Sequence, residues 1–185
     1  GGPQHHPERP QELYLPNSSG YHVIRYNEIY SDEAHKFNDC IGGGANGGRG
    51  FPGDNSDIYG NIVQDCWDDA LEIEGHNQNV RVWGNYTNRT YMHIAARPTP
   101  EGPLYIWRTV ADSSRKALEP TAWDDDHRGP FLKSGNLNDL GGGRVYVYHN
   151  TMLQSPGRVE YLLNRHVGSY KGLSGAMRNY VSRNY

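Results

Sequence analysis

The sequence lacks the features that define several common classes of protein. Of its 185 residues, two are cysteine, three are methionine and three are phenylalanine. Cys40 and Cys66 are too few for a disulfide framework, and the residues alone leave open whether they pair across neighbouring repeats or remain two buried thiols. No apolar run approaches the length of a transmembrane helix, so we expect no membrane insertion.

A dominant charge and a helical periodicity are also missing. The formal net charge is −3, with no strongly basic stretch, which argues against nucleic acid as a partner. No stretch repeats apolar residues at the i, i+3, i+4, i+7 spacing of an amphipathic helix. Hydrophobic residues make up 35% of the chain, below the usual share for a compact globular domain. These absences favour an all-β chain with a narrow core.

What the sequence contains instead is one repeated phrase. Each copy is a short alternating run typical of a β-strand, then a small or polar residue, then Asn or once Thr, then an apolar or aromatic residue. The six copies are centred on Asn27, Asn61, Asn85, Thr109, Asn150 and Asn179. A recurring unit of about two dozen residues that is rich in β-branched, aromatic, Asn and Gly residues predicts a solenoid.

These phrases resemble the rungs of a right-handed parallel β-helix, the fold of the pectate-lyase superfamily. In that fold the Asn at the turn between two sheets stacks on the Asn of the next rung. An Asn side chain can bond its own turn backbone, and it tolerates the left-handed conformation of a sharp corner. The resemblance covers residues 13–185 and implies about six rungs. The alternative is an antiparallel β-sandwich with Asn-Gly hairpins, although hairpins would not repeat one phrase at rung spacing.

The two ends of the chain suggest a piece of a longer or processed protein. The chain begins without Met, residues 1–12 are rich in Pro and His and are expected to be a linker or flanking segment, and the chain stops just after an Asn corner. Three glycosylation triplets, at Asn17, Asn85 and Asn88, fit a secreted or cell-surface protein.

A second strand is predicted between the Asn phrases, and its side chains are candidates for chemistry. Strand residues alternate between the two faces of a sheet. If Ile41, Leu71, Ile94 and Leu132 point into the core, two outward columns follow. They are Gly42, Glu72, Ala95 and Lys133, and then Gly44, Glu74, Arg97 and Gly135. We therefore predict a solvent-facing patch of Glu72, Glu74 and Arg97 with Lys133 at its edge, beneath the loop at 42–54 or the loop at 111–128.

The Glu72-Ile73-Glu74 segment is similar to the calcium site of the chondroitinase B and alginate lyase family. The resemblance implies that Glu72, Glu74 and an Asn one rung earlier, Asn38 or Asn46, hold Ca²⁺. It also implies cleavage of a uronate-containing polysaccharide by β-elimination. A cation can neutralise the uronate carboxylate, and a nearby Arg97 or Lys133 of lowered pKa can take the proton. The family's catalytic Lys follows its Glu pair, where this chain has His76, Asn77 and Asn79.

The sequence therefore favours a secreted polysaccharide lyase, and two other functions stay open as alternatives. Trp67-Asp68-Asp69-Ala70 resembles the Asp-Asp motif of the polygalacturonase group of glycoside hydrolases, in which carboxyl groups donate a proton and activate water. Asp39 occupies the equivalent place one rung earlier, although an Asp there can simply cap turn backbone. A non-catalytic glycan-binding or adhesive β-helix would use the Tyr and Trp surplus to stack on sugars.

The remaining candidates complete the predicted site. We expect His93 and Asp69 to act as further catalytic groups, although a histidine at such a position is more often a surface residue. The predicted substrate-binding side chains are Trp67, His76, Trp123 and Arg128.

Overall fold

The computed structural model describes residues 10–32, 34–44, 46–115, 131–134, 140–153 and 180–183. They form short strands, which in chain order are β1 (Leu13–Tyr14), β2 (Val23–Arg25), β3 (Glu28–Tyr30), β4 (Ile41–Gly42), β5 (Asp57–Tyr59), β6 (Ile62–Gln64), β7 (Asp69–Glu72), β8 (Val80–Trp83), β9 (Tyr86–Asn88), β10 (Met92–Ala96), β11 (Leu104–Trp107), β12 (Val110–Asp112), β13 (Leu132–Ser134), β14 (Val145–Tyr148), β15 (Thr151–Leu153) and β16 (Tyr180–Arg183). None of these described residues forms a helix long and apolar enough to cross a membrane.

The strands stack into three parallel sheets. Sheet A contains β1, β4, β7, β10 and β13; sheet B contains β2, β5, β8, β11, β14 and β16; sheet C contains β3, β6, β9, β12 and β15. Each strand pairs in parallel with the equivalent strand one rung away, so the chain winds as a parallel β-helix. This confirms the predicted solenoid, and the β-sandwich alternative is wrong because a sandwich is built from antiparallel sheets.

The core is a set of stacked columns, one inside each sheet. The column of sheet B is Ile24, Ile58, Val82, Ile106 and Val147. The column of sheet A is Leu13, Ile41, Leu71, Ile94 and Leu132. All of them are buried except Leu13, which is partly buried against the same cluster. Both predicted inward stacks are therefore confirmed, and the strand phase read from the sequence is correct.

The corner between sheets B and C carries the repeated phrase. The left-handed backbone conformation falls on the residue before each Asn, not on the Asn itself. Its φ is 56° at Tyr26, 67° at Gly60, 62° at Gly84, 52° at Arg108 and 55° at His149. At Gly60 a Cβ would also lie 2.6 Å from the Tyr26 ring, so glycine is needed there for space as well as conformation. The small or polar residue of the phrase is thus the true corner residue.

The Asn side chains form a hydrogen-bonded ladder along the axis. Asn27 donates from its backbone and side-chain nitrogens to Asn61 Oδ1, at 3.1 and 2.9 Å. Asn61 donates in the same way to Asn85 Oδ1, at 3.0 and 2.9 Å. The ladder resumes where the Thr109 backbone N–H donates to Asn150 Oδ1 at 3.0 Å. The predicted column is confirmed for these residues, while Asn179 lies outside the described residues.

Asn61 is the central member of this ladder, so its loss should be costly. Its side chain accepts from Asn27 and donates to Asn85 and to the Ile24 carbonyl. We expect Asn61→Ala to lower the free energy of unfolding by about 2–3 kcal/mol, since buried groups would lose their partners. Chemical denaturation would measure this loss. The matched Asn27→Ala change, at the exposed end of the ladder, should cost under about 1 kcal/mol; equal losses in the two variants would contradict this account.

Outside sheet B, the Tyr and Trp surplus forms a second ladder. Tyr59, Trp83, Trp107 and Tyr148 share one outward column, with successive ring centroids 4.2, 5.7 and 5.9 Å apart and planes within 16° of parallel. The rings therefore use their faces on one another and present their edges to solvent. This disfavours the expectation that these rings stack on sugar faces.

Candidate active site

The outer face of sheet A carries carboxyl groups on either side of pairs of successive inward side chains, which occur at the start of β4 and of β7. In β7, Ala70 and Leu71 both belong to the core, so Asp69 before them and Glu72 after them face outward. One rung earlier Cys40 and Ile41 do the same, which leaves Asp39 outward.

A disulfide joins these two strand entries. Cys40 and Cys66 are bonded and fully buried, with Cα atoms 5.7 Å apart, which decides between the two alternatives that the sequence left open. Because Asp39 precedes one cysteine and Asp68 and Asp69 closely follow the other, the three carboxyl groups converge. Each offers an oxygen within 4.8 Å of the others.

Asp39 is held by several donors. Its Oδ1 accepts from the Asp69 backbone N–H at 3.1 Å, and its Oδ2 accepts from Gln11 Nε2 at 2.6 Å and Asn38 Nδ2 at 3.2 Å. Burial, reinforced by the negative charges of Glu72 and Asp68, raises the pKa of Asp39 to about 7. Asp39 can therefore keep a proton under mildly acidic to neutral conditions. Gln11, which we assigned to the flanking segment, contributes directly to this site.

Lys133 reaches from β13 into the same cluster. Lys133 pairs in register with Ala95 of β10. The small Ala95 side chain lets the lysine extend past β10 to the carboxyl groups on the rung of β7. Lys133 Nζ lies 2.8 Å from Asp69 Oδ2 and 3.2 Å from Glu74 Oε1. We call Asp39, Asp68, Asp69, Glu74 and Lys133 the acidic cluster.

Burial and mutual charge shift the pKa values of residues in the acidic cluster. Burial alone would lower the pKa of Lys133, but the charges of Asp69 and Glu74 outweigh it and raise that pKa well above its usual value. Burial raises the pKa of Glu74 to about 7 and that of Asp69 well above its usual value, although Lys133 opposes both shifts. A lysine that holds its proton this firmly is a poor base, so the arrangement disfavours Lys133 as the group that abstracts a proton.

Glu72 faces outward as predicted, but it is not exposed. Its Oε2 accepts from the backbone N–H groups of Gly43 and Gly44, at 3.2 and 2.9 Å, so the Gly-rich loop covers it. Glu72 is 6% exposed and Glu74 is 1% exposed. The prediction of a solvent-facing patch is therefore wrong for both glutamates, because the loop shields this part of sheet A. Glu72 caps the loop backbone, which leaves its Oε2 less available to the predicted Ca²⁺.

Arg97 does lie beside the glutamates. Its backbone N–H donates to Glu74 Oε1 at 3.3 Å, and the residue is half-buried. The structure thus brings the Arg97 backbone to the Glu74 carboxylate, which Lys133 also contacts.

The predicted substrate-binding residues differ from one another in how accessible they are. Trp67 is 5% exposed, and the Arg115 guanidinium lies 4.3 Å from its ring centroid, so its ring offers little surface to a sugar. His76 is partly exposed, and its Nδ1 lies 3.0 Å from Glu101 Oε1. Trp123 and Arg128 lie outside the described residues.

His93 is a buried residue, contrary to the surface position expected for it. It occupies the inward position that Ala70 occupies in β7, and its ring lies between Thr87 Oγ1 and Ser114 Oγ, each at 2.8 Å. Burial lowers its pKa to about 4. A neutral imidazole on the core side of the sheet cannot contact a substrate bound at the outer face.

The buried imidazole predicts a specific loss of stability in acid. Its folded-state pKa of about 4 lies below its ordinary value of 6.5, so the unfolded chain binds the extra proton first, and stability falls as pH drops through this window. We expect the stability advantage of the native protein over His93→Gln to shrink by roughly 3 kcal/mol between pH 7 and pH 4. Denaturation at a series of pH values would measure the difference.

The comparison between the two proteins isolates the histidine. Asp39 and Glu74 have raised folded-state pKa values near 7, so their contribution falls as pH rises from about 4 to 7, opposite in sign to that of His93. Both proteins share that contribution, so it cancels in the difference. A difference that does not vary between pH 7 and pH 4 would contradict the prediction.

Within the described part of the chain, three buried oxygens at this face have no hydrogen-bond partner: Asn38 Oδ1, Asp69 Oδ1 and Glu74 Oε2. Unpaired carboxyl oxygens in a buried site are costly unless a proton, a cation or a ligand satisfies them. The acidic cluster is therefore suited to donating protons or to holding a hard cation.

The chain was compared with known protein families, with curated proteins and with solved structures, and none of them matches it.

Proposed function

We propose that this β-helix is a carbohydrate-active enzyme that hydrolyses glycosidic bonds in an acidic, uronate-containing polysaccharide. The observation that supports this most is the convergence of Asp39, Asp68 and Asp69 within 4.8 Å of one another. Glycoside hydrolysis needs a carboxyl group that is still protonated and a second carboxylate nearby. The similarity of Trp67-Asp68-Asp69-Ala70 to the polygalacturonase motif points in the same direction.

The environment of each carboxyl group suggests its role. Asp39 has a pKa raised to about 7 by burial, which suits a general acid that protonates the leaving oxygen. Asp68 is only half-buried, and its oxygen lies within 4.8 Å of that of Asp39. That separation is nearer the roughly 5 Å of a carboxylate nucleophile than the roughly 6.5–9.5 Å that leaves room for an attacking water, so Asp68 is the member best placed to act as the nucleophile. Lys133 keeps its proton and positions Asp69 and Glu74.

The disulfide supports a location outside the reducing cytoplasm. Disulfides persist in secreted and extracellular proteins and are rare where thiols are kept reduced. We therefore propose that the chain works in a secreted or cell-surface setting, where polysaccharide substrates are found.

The unpartnered oxygens favour β-elimination assisted by Ca²⁺ as a second candidate. Ca²⁺ prefers carboxylate and amide oxygens, and Asp39, Asp68, Asp69 and Asn38 offer these. This set differs from the predicted Glu72 and Glu74. A bound cation would neutralise the uronate carboxylate and leave the chain's own residues to move the proton. The firmly protonated Lys133 makes this the weaker candidate.

One assay distinguishes the candidates. The protein is incubated with a panel of uronate polymers, with Ca²⁺ or with a chelator, while reducing ends and ultraviolet absorbance are followed. Hydrolysis produces reducing ends without the absorbance of an unsaturated product, and it should persist in chelator. Ultraviolet absorbance that appears only with Ca²⁺ would show that the reaction is elimination and not hydrolysis. If neither reducing ends nor absorbance appear, glycan binding would remain as the function.

A pair of variants connects the activity to the acidic cluster. We expect Asp68→Asn to reduce turnover by at least about 100-fold, because an amide cannot replace a carboxylate nucleophile and even a positioned acid or base typically contributes that much or more. The control Asp65→Asn removes a carboxylate of sheet C that pairs with Arg89, and it should retain near-normal turnover. Equal activity in the two variants would exclude Asp68 from the reaction.

A further inference from the structure

The outer face of sheet B differs in charge from the outer face of sheet A. We define the aromatic face as the outward residues of β2, β5, β8, β11 and β14 with the adjoining Arg108, His149 and Arg144. Four arginines lie along it: Arg25, Arg81, Arg108 and Arg144. Among the outward residues of these five strands, the single carboxylate is Asp57. The face is therefore cationic in a chain whose formal net charge is −3.

The charges are arranged so that three arginines remain available. Arg81 and Asp57 neutralise each other through two hydrogen bonds of 2.6 Å. Arg25, Arg108 and Arg144 are exposed, and no described carboxylate forms an ion pair with them. They are spread over the rungs from β2 to β14, which at about 4.8 Å per rung extend for roughly 20 Å.

The aromatic rings define what can lie between these charges. Arg25 donates to the Tyr59 hydroxyl at 2.8 Å and Arg144 to the Tyr146 hydroxyl at 3.2 Å, so two of the three exposed guanidinium groups lie against tyrosine side chains. Tyr105 and Tyr146 form a second stacked pair, with centroids 5.2 Å apart. Because the ring faces are occupied by one another, the face offers hydroxyl, indole and guanidinium donors along its length but few free π-surfaces.

We propose that the aromatic face binds a linear anionic glycan that lies along the β-helix axis. The three exposed guanidinium groups, on the rungs of β2, β11 and β14, can pair with carboxylates that recur along such a polymer, and the ring edges can meet sugar hydroxyl groups. A single-stranded nucleic acid fits less well, because its bases bind by stacking on aromatic faces, which the ladder already uses. This surface is separate from the acidic cluster and goes beyond the proposed hydrolysis, since it would hold the polymer whether or not the chain cleaves it.

Binding to polygalacturonate tests the proposal, with neutral dextran and a thymidine oligonucleotide as comparison ligands. The measurements use the Asp68→Asn background so that the polymer is not consumed. We expect polygalacturonate to bind, and its affinity to fall steeply as salt rises from low to physiological concentration. Arg108→Gln and Arg144→Gln should each weaken binding about threefold to tenfold at low salt, and the double variant more than tenfold.

The control is Arg89→Gln, which removes the same charge from sheet C. It should leave polygalacturonate affinity within about twofold of the parent, since Arg89 lies off the aromatic face. Unchanged affinity in the Arg108 and Arg144 double variant would overturn the proposal. So would an equal loss in Arg89→Gln, equal binding of dextran, or oligonucleotide binding as tight as that of polygalacturonate. Loss of turnover on all polymers with binding retained would instead reject only the proposed hydrolysis.

Discussion

Lys133→Met is expected to lower the free energy of unfolding by about 3–5 kcal/mol near neutral pH. The lysine is the cation between two carboxyl groups, Asp69 and Glu74, that are each 1% exposed on their side chains. Removing it leaves both without the charge that offsets their burial. Chemical denaturation of the two proteins would measure the loss.

The pH dependence and a rescue separate this explanation from simple loss of packing. As pH falls, Asp69 and Glu74 take up protons, so the cost of Lys133→Met should shrink toward pH 5. Adding Asp69→Asn and Glu74→Gln to the variant should recover most of the loss, since the buried charges are then gone. The exposed pair Arg89–Asp65 gives the matched control, and Arg89→Met should cost under about 1 kcal/mol. A cost that does not change with pH, or no recovery, would contradict a charge-based origin.

Removal of the disulfide should have the second large effect. The bond closes a loop of 26 residues between Cys40 and Cys66, and the chain-entropy relation assigns about 3.5 kcal/mol to a loop of that length. We expect the paired change Cys40→Ala and Cys66→Ala to lower the free energy of unfolding by about that amount. Denaturation of the oxidised native protein against the double variant would measure it.

The same variant tests how Asp39 is placed against Asp69. Since the bond ties the two strand entries together, its loss should also weaken the contact between the Asp69 N–H and Asp39. Turnover on uronate polymers should then be lower than in the native protein even under conditions in which the variant is still folded. A stability change under about 1 kcal/mol would show that the stacked rungs hold these entries without the bond.

The fold could be predicted from the sequence because its signals are local and repeated. The Asn phrase marks the same corner in every rung, and the interval between phrases sets the register of Ile58 on Val82 and of Val82 on Ile106. Alternation within each strand then decides which side chains enter the core. The left-handed conformation lies one position before the Asn, which the sequence does not reveal because that residue is Gly in only two of the five described copies and is Tyr26, Arg108 or His149 in the others.

The candidate site was only partly predictable, for reasons that lie outside the strand pattern. The outward phase of Glu72 and Glu74 followed from alternation, but their burial depends on the Gly-rich loop, whose path no periodicity encodes. His93 faces inward because two successive residues enter the core at the start of the strand, which strict alternation does not allow. The contact between Lys133 and Asp69 spans 64 residues and depends on the small Ala95 between them.

At Thr109 the side-chain ladder between neighbouring rungs is interrupted, and we call the boundary between the rungs of Asn85 and Thr109 the joint. The Asn ladder couples the rungs of Asn27, Asn61 and Asn85, but Thr109 Oγ1 is buried and no residue that the structure describes forms a hydrogen bond with it. In a solenoid, stability is approximately a sum of repeat terms and nearest-neighbour coupling terms, so the weakest coupling decides where cooperative unfolding divides. The rungs on either side of this joint should therefore open as two separate units, with a step in amide-exchange protection between Asn85 and Thr109. Thr109→Asn, by supplying the missing amide, should merge the two units into one.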